Sequence, residues 1–462
     1  MTTSTWLPLV QSENRLFKPL YYLGCKANFV SPILEAINDV SKTGPACDLF
    51  AGSGSIAAAM AADRNVTAVD IQEYSRVFCS AQLTPAKLES SESIGFVARA
   101  RQSEILRRLS WCFAPLIDFE SSAITNAAAG DSRAIACLLE AWPLAVSKDN
   151  ASSKLLSAAR VEVRKNLKRE GLASSRETTV STYFGGVYFS YKQSIFLDCA
   201  LELASRAPKR ERDTLVAAIL SSASSVVNTV GKQFAQPLRP REKSGELKRD
   251  LGAAVQRDRL SDASVELDQW LSAYAALPLT AQEHRSLRMD YLDALRQFGS
   301  EFAVVYADPP YTRDHYSRFY HVLETMCLRD APKISLVKKK GVEVPSRGLY
   351  REGRHQSPFC VRSEAPDALD KLFKAARENG LPVVLSYSPH EAGDGTHPRV
   401  MLARDIIAIA ERHYRRVKVD LLDGSTHNKL NRSGLSLTKR LHAEMIVKCS
   451  SPRAAKPPLR IR

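Results

Sequence analysis

The feature that most constrains the fold is a strand, a glycine turn, a helix and a second strand within about 25 residues. Residues 46–50 (ACDLF) form a short apolar run, and the small-residue turn AGSGS follows it. The helix-forming run IAAAMAA comes next, and the strand-like segment VTAVD ends at Asp70. A β-turn-α-β unit of this length is typical of a doubly wound sheet, so the sequence predicts an α/β fold.

The remaining strand-like segments lie near the C-terminus and alternate with helical segments. They are found at 302–308, 381–388, 415–422 and 443–449. The long stretch between the two groups is mostly helical in pattern. We therefore predict an α/β domain made of residues 1–75 and 295–450, interrupted by a largely helical insertion at 76–294. The basic tail at 451–462 contains prolines and is expected to be disordered.

The charge balance favours a polyanionic partner. The chain of 462 residues has 65 Lys and Arg against 50 Asp and Glu, a formal net charge of +15. Nucleic acid is the usual partner for such an excess, and a basic protein without one is the alternative.

The nine cysteines include no Cys-x-x-Cys pair, so neither a disulfide framework nor a metal site is predicted. Because no signal-peptide pattern or apolar run of about 18 residues is present, we expect a cytoplasmic protein.

The glycine turn has the composition of a cofactor site. Gly52 and Gly54 allow the backbone to approach a ligand where a Cβ atom would clash, and the following helix offers free N–H groups. Asp70, at the end of the second strand, is in position to accept hydrogen bonds from two ribose hydroxyls. A dinucleotide-binding Gly-x-Gly-x-x-Gly pattern is incomplete, because Ala57 stands at its last position. A glycine turn that binds no cofactor is the alternative.

A second motif, Asp308-Pro309-Pro310-Tyr311, ends a later strand. The strand delivers an acid to the carboxyl edge of the sheet, where open α/β sheets bind ligands, and the prolines stiffen the turn. The Asp308 carboxylate and the Pro309 carbonyl can accept both N–H bonds of a nucleobase amine. They would stabilise the positive charge that grows as the nitrogen attacks a methyl group. Tyr311 can stack on a base taken out of the duplex. A strand-ending turn without chemistry is the alternative.

With these motifs in this order, the chain resembles the amino-methylating DNA methyltransferases, and among them the adenine-specific Dam-type (D12 class) family. The resemblance covers residues 19–73 and about 300–450. It includes the stretch YYLGCK, in which Tyr22 and Lys26 match a family motif beside the methionine part of the cofactor. Cys25 departs from the family pattern, which usually has a second glycine there.

The resemblance implies a Rossmann-like methyltransferase fold with a mostly parallel seven-stranded sheet, and S-adenosylmethionine as the cofactor. It also implies that the helical insertion contains the target-recognition region for double-stranded DNA. A cognate restriction or defence-system protein is a further candidate partner. The candidate cofactor-binding residues are Tyr22, Lys26, Asp48, Phe50, Gly52, Gly54, Asp70 and Ile71. The candidate catalytic residues are Asp308, Pro309, Pro310 and Tyr311.

A loop rich in positive charge follows the catalytic motif. We expect its basic residues to bind DNA phosphates, which position a duplex and supply most of its non-specific affinity. A solvated loop without DNA contacts is the alternative. The candidate DNA-binding residues are Lys338, Lys339, Lys340, Arg347, Arg351 and Arg354. Tyr350 or Phe359 is expected to enter the space left by a flipped base.

The predicted activity is transfer of a methyl group from S-adenosylmethionine to N6 of a flipped-out adenine in DNA. Asp rather than Ser at the head of the catalytic motif favours adenine over cytosine. A DNA cytosine-N4 or an RNA base-amine methyltransferase are the alternatives within the class. From another class, an inactive methyltransferase fold could serve as a DNA-binding scaffold, but the intact Asp70, Asp308 and glycine turn argue against it. We expect the protein to be nucleoid-associated in the cytoplasm.

Overall fold

The computed structural model describes residues 17–20, 26–313, 316–339, 341–389, 399–427 and 437–454, with the backbone alone at Ala27, at 424–427 and at 437–442. Among these residues, no helix is long and apolar enough to cross a membrane.

Seven strands form one mixed sheet, and two more form a separate hairpin. The strands are β1 (Ala46–Asp48), β2 (Val66–Asp70), β3 (Arg285–Arg288), β4 (Val304–Ala307), β5 (Leu336–Lys339), β6 (Val342–Pro345), β7 (Val383–Tyr387), β8 (Tyr414–His427) and β9 (Leu437–Pro452). The sheet has the order β3-β2-β1-β4-β7-β9-β8. Its first five strands are parallel, and β9 runs antiparallel to both β7 and β8. The predicted α/β architecture with a mostly parallel seven-stranded sheet is therefore confirmed.

Helices surround this sheet and fill the region between β2 and β3. They are α1 (Val30–Val40), α2 (Ser55–Met60), α3 (Glu73–Leu83), α4 (Phe96–Gln102), α5 (Glu104–Ala128), α6 (Arg133–Glu140), α7 (Lys154–Arg169), α8 (Thr179–Tyr183), α9 (Tyr191–Arg206), α10 (Lys209–Val226), α11 (Leu251–Arg259), α12 (Ala263–Ala275), α13 (Tyr291–Phe298), α14 (Tyr316–Leu328), α15 (Ala365–Glu378) and α16 (Ala403–His413). Short 3-10 helices lie at Lys26–Phe29, Arg176–Thr178, Val230–Lys232, Gly299–Glu301 and Pro358–Cys360.

Both faces of the sheet are covered, because alternate residues of its central strands are apolar on both sides. In β4, Val304 and Tyr306 pack in the core that contains α1 and α2. Val305 and Ala307 pack in the opposite core with α13, α15 and α16. All four side chains are buried. A parallel strand buried on both faces reads as a continuous apolar run, and this is why β4 was recognisable in the sequence.

The helices between β2 and β3 build a core of their own, and this core extends to α14, the helix that follows β4. Phe78 of α3 and Met326 of α14 belong to it. In addition, the Glu324 carboxylate of α14 accepts a hydrogen bond from the backbone N–H of Tyr74 at 3.0 Å. Helix α14, which follows the Asp308–Tyr311 turn, therefore joins the sheet to the helical region. Strand β3 pairs with β2, so the sheet resumes at Arg285, inside the range 76–294 predicted as insertion.

Candidate active site

The glycine turn after β1 adopts left-handed backbone at two positions, where glycine is favoured. Gly52 has φ of 54° and Gly54 has φ of 81°. The backbone N–H of Gly54 donates to the Ala51 carbonyl at 2.8 Å, which closes the turn before α2. A Cβ atom at Gly54 would lie 2.9 Å from Nε2 of Gln82, so this glycine also permits close packing on α3.

Asp70 is bound at the end of β2 by two backbone donors. Its Oδ2 accepts the N–H of Gly52 at 3.1 Å, and its Oδ1 accepts the N–H of Gln72 at 2.9 Å. Burial raises the pKa of Asp70, and the two backbone donors oppose this effect. The carboxylate is thereby oriented toward the glycine turn, with lone pairs left on each oxygen for further donors.

Asp48 is a buried acid at the end of β1. Burial, with a contribution from the Asp308 charge, raises the pKa of Asp48 to about 8. Within the described part of the chain its Oδ1 has no hydrogen-bond partner. A buried oxygen of this kind needs a donor from outside the protein to be satisfied.

The Asp308–Tyr311 turn places Asp308 beside Lys26, which also pairs with Glu444 from a distant part of the chain. Nζ of Lys26 lies 3.1 Å from Oδ1 of Asp308 and 3.0 Å from Oε1 of Glu444. It also donates to the Tyr311 hydroxyl at 3.4 Å. Lys26, which was expected beside the cofactor, therefore donates hydrogen bonds to Glu444 and Tyr311 and forms an ion pair with Asp308.

The electrostatics of this cluster follow from its burial. Burial raises the pKa of Asp308 to about 7, with Lys26 lowering it and the Glu444 charge raising it. Burial alone would lower the pKa of Lys26, but the charges of Asp308 and Glu444 raise it well above its usual value. Lys26 is therefore a cation around neutral pH, whereas Asp308 titrates near neutrality.

The ring of Tyr311 lies in a polar aromatic environment. Nζ of Lys26 is 4.9 Å from its centroid, and the Arg399 guanidinium is 5.0 Å from it. The ring of Tyr387 packs at 5.1 Å with an interplanar angle of 53°. These contacts hold the ring at the edge of the sheet, next to the carboxylate of Asp308.

One cleft at the carboxyl edge of the sheet brings the two motifs together. It encloses about 1190 Å³, including solvent at its open side. Among its lining residues are ten that were predicted from the sequence, namely Lys26, Asp48, Phe50, Gly52, Asp70, Ile71, Asp308, Pro309, Pro310 and Tyr311. Gly54 packs behind the turn, and Tyr22 lies outside the described residues.

Some residues of the site were not predicted. Asp290 and Tyr291 line the cleft between β3 and α13, and Tyr316 and His355 line it from other elements. Asp290 follows β3 as Asp70 follows β2, and its Oδ1 caps α13 by accepting the N–H of Leu292 at 2.8 Å. This pattern, a strand followed by an acid and a helix, was the sequence signal that could have indicated Asp290. Glu444, an acid inside the apolar strand β9, was a second one.

The predicted DNA-binding residues divide into exposed and paired groups. Lys338 and Lys339 are exposed on the β5–β6 hairpin, and Arg347 is exposed after it. In contrast, Arg351 forms an ion pair with Asp330, and the guanidinium of Arg354 lies 4.6 Å from the centroid of the Tyr350 ring. Lys340 lies outside the described residues.

The expectation that Tyr350 or Phe359 fills the space of a flipped base is wrong for this conformation. Phe359 is only 1% exposed and packs against the rings of Phe50 and Tyr291 in the core of the sheet domain. The Tyr350 hydroxyl donates to the Ala235 carbonyl at 2.6 Å. Both side chains are therefore engaged in packing.

The cleft fits an adenosyl cofactor on three observations. The Asp70 carboxylate is oriented at the strand end, the left-handed backbone of Gly52 lets a ligand approach closely, and Oδ1 of Asp48 needs a donor. A cofactor with ribose hydroxyls and a cationic end supplies partners for both acids.

The mixed sheet brings a glycine turn, strand-end acids and an Asp-Pro-Pro-Tyr turn to one cleft. This is the arrangement of an enzyme of the methyltransferase type. Residues 22–99 match the family model of the D12 class N6 adenine-specific DNA methyltransferases. The match supports the family that the motifs indicate, over the part of the chain that contains Lys26, the glycine turn and Asp70. No curated protein matches the chain.

Proposed function

We propose that the protein transfers a methyl group from S-adenosylmethionine to N6 of a flipped-out adenine in DNA. The observation that carries this proposal is that the glycine turn with Asp70 and the turn that begins at Asp308 line a single cleft. A donor bound at the first motif would therefore lie beside an amine bound at the second. The Rossmann-like methyltransferase fold is part of the same proposal, supported by the strand order and the family match.

The cofactor would be bound by the N-terminal part of the site. Asp70 accepts hydrogen bonds from ribose hydroxyls while the Gly52 N–H keeps its carboxylate in place. Asp48 offers a buried acceptor to a cationic group. When bound, S-adenosylmethionine supplies an electrophilic methyl group on a sulfonium. Phe50 and Ile71 line the same cleft and supply apolar contacts.

The catalytic turn would bind the target amine. Oδ2 of Asp308 and the carbonyl of Pro309 accept its two N–H bonds, while Oδ1 of Asp308 remains paired with Lys26. These acceptors draw the nitrogen toward tetrahedral geometry and stabilise the charge that develops on it. The Tyr311 ring stacks on the base and offsets part of the cost of unstacking.

DNA would bind across the outer edge of this cleft. The exposed Lys338, Lys339 and Arg347 contact phosphates without reading sequence. The helical region α4–α12 supplies the target recognition, because α14 connects it directly to the catalytic turn. In a cell the protein would act in the cytoplasm on the nucleoid, alone or beside a cognate restriction or defence-system protein.

The experiment is to express the protein with a plasmid substrate and to identify modified bases by nucleoside mass spectrometry. We expect N6-methyladenine in the wild type and none in Asp308→Ala. N4-methylcytosine instead would assign the protein to the cytosine group, and methylation confined to RNA would assign it to the RNA enzymes. No modified base, with DNA binding retained, would favour the scaffold. Sequencing of the modified DNA then gives the recognition site.

A further inference from the structure

Glu444 is a buried acid that the sequence motifs do not account for. It lies on β9, in register with Leu422 of β8, and its side chain is only 4% exposed. Its Oε1 accepts a hydrogen bond from Nζ of Lys26 at 3.0 Å, across 418 positions of the chain. Burying a carboxylate is costly unless it is paired, so this contact calls for an explanation.

The explanation lies in the other partner of Lys26. The same ammonium group is 3.1 Å from the Asp308 carboxylate, so that Lys26 stands between two acids. A lysine side chain has several rotatable bonds and can adopt many conformations unless a contact fixes one of them. The contact with Glu444 selects the position in which Lys26 meets Asp308.

We propose that Glu444 is a positioning residue for methyl transfer: it holds Lys26 against Asp308 and so determines both the orientation and the charge of the carboxylate that accepts the target amine. This inference rests on the proposed function. Glu444 acts through Lys26, and the residue that touches the substrate is Asp308.

The charges around Asp308 make the role of Glu444 measurable. Asp308 is faced by Lys26, Glu444 and Asp48, and by the hydroxyls of Tyr306, Tyr311 and Tyr316. Burial is the main reason that the pKa of Asp308 is raised; within the cluster, Lys26 lowers it and Glu444 raises it. Loss of the Glu444 charge therefore lowers the pKa of Asp308, and loss of the Lys26 charge raises it.

The test compares the pH dependence of kcat/KM for methylation of DNA in the full-length wild type, Glu444→Gln and Lys26→Gln. Gln at 444 keeps an oxygen for Nζ of Lys26 but removes the charge, so the acidic limb should move to lower pH by about one unit. Lys26→Gln should move the same limb to higher pH by about one unit or more. Opposite shifts are not expected from general damage to the fold.

Two further variants separate charge from distance. Glu444→Asp keeps the charge but withdraws the oxygen from Lys26, so kcat should fall while the limb stays near its wild-type position. Glu444→Ala removes the contact altogether and should lower kcat by about tenfold or more, with KM for DNA little changed. The matched control is Asp370→Asn, a partly buried acid of α15 that pairs with His413 of α16 and should change neither kcat nor the position of the acidic limb.

The inference is overturned if Glu444→Gln is active and its acidic limb does not move. It is also overturned if the limb moves in the same direction as in Lys26→Gln. If instead the wild type methylates no base, the proposed function fails and the comparison has no reference rate. The two failures are therefore distinguishable. Circular dichroism and calorimetric titration with S-adenosylmethionine verify that each variant is folded.

Discussion

The backbone N–H of Gly52 donates to Oδ2 of Asp70 at 3.1 Å, and this hydrogen bond ties the glycine turn after β1 to the acid at the end of β2. The two elements that would each bind part of the proposed cofactor are thus fixed relative to one another without a ligand. Such preorganisation lowers the ordering cost of binding.

We expect Asp70→Ala to weaken the binding of S-adenosylmethionine by about a hundredfold, because it removes the ribose acceptor and also releases the glycine turn. Isothermal titration calorimetry on the purified protein measures this. Glu73→Gln, at the first position of α3 and paired with Arg76 rather than facing the cleft, is the control. An affinity in Asp70→Ala equal to that of the wild type would remove Asp70 from the site.

The rate of methyl transfer should depend on the ionisation of Asp308. Its carboxylate must be deprotonated to accept both the target amine and the Lys26 contact, and its pKa is raised to about 7, chiefly by burial. The value of kcat/KM should therefore fall about tenfold per pH unit below that point and be level above it. Stopped assays at constant ionic strength measure the profile. A rate that stays constant well below neutrality would contradict the role of this carboxylate.

Asp308→Asn tests the same group at a fixed pH. The amide keeps the shape of the side chain but loses the charge that stabilises the developing positive nitrogen. We expect kcat to fall by about 10² to 10³, with cofactor binding retained. Single-turnover assays with labelled cofactor give the rate, and retention of near wild-type kcat would show that the charge is not needed.

Asp48 should make the apo protein less stable as the pH rises. Its pKa is about 8 in the folded protein, raised chiefly by burial above the usual value of 3.8. As the pH rises, Asp48 therefore loses its proton in the unfolded chain before it does so in the folded protein. The free energy of unfolding decreases between pH 3.8 and about 8 as a result. Asp48→Asn removes this loss, on the order of a few kcal/mol at pH 8.

The measurement for Asp48 is thermal unfolding of the apo protein at several pH values. The gain in Tm of Asp48→Asn over the wild type should grow from acidic to alkaline pH. Asp63→Asn, which alters an exposed acid nearby, should show no such trend. Cofactor affinity should fall in Asp48→Asn, so a variant that is more stable but binds more weakly is the expected combination.

Charge reversal on the β5–β6 hairpin should weaken DNA binding for all sequences alike. Lys338→Glu with Lys339→Glu removes two exposed cations, so the slope of log affinity against log salt should decrease by about two units. Fluorescence anisotropy with specific and random duplexes measures both. Lys371→Glu with Lys374→Glu on α15 is the control. A loss confined to one target sequence would instead make the hairpin a base reader.

Much of the sheet could be predicted, because its central strands are local signals. The run before Asp308 is apolar at every position, and the unit that ends at Asp70 is complete within a short stretch. Strand β3 was not predicted, because Arg285–Arg288 is a polar edge strand that is recognisable only through its pairing with β2.

Part of the candidate site was also predictable, because its acids follow local strand signals. Asp48, Asp70 and Asp308 each end a strand, and the carboxyl ends of parallel strands meet at one edge. The partners of Lys26 were not predictable, since Glu444 approaches it from an antiparallel strand at the far end of the chain. The role expected for Phe359 was wrong because its burial depends on rings supplied by Phe50 and Tyr291.

The ion cluster around Lys26 also bears on when activity can arise during synthesis. Lys26 and the glycine turn leave the ribosome well before Glu444, which belongs to β9. Domains acquire structure as the chain emerges, from the N-terminus onward. We expect a nascent chain that lacks β9 to contain the proposed cofactor motif before it can orient Asp308, so that the proposed methyl transfer waits until β9 has been made.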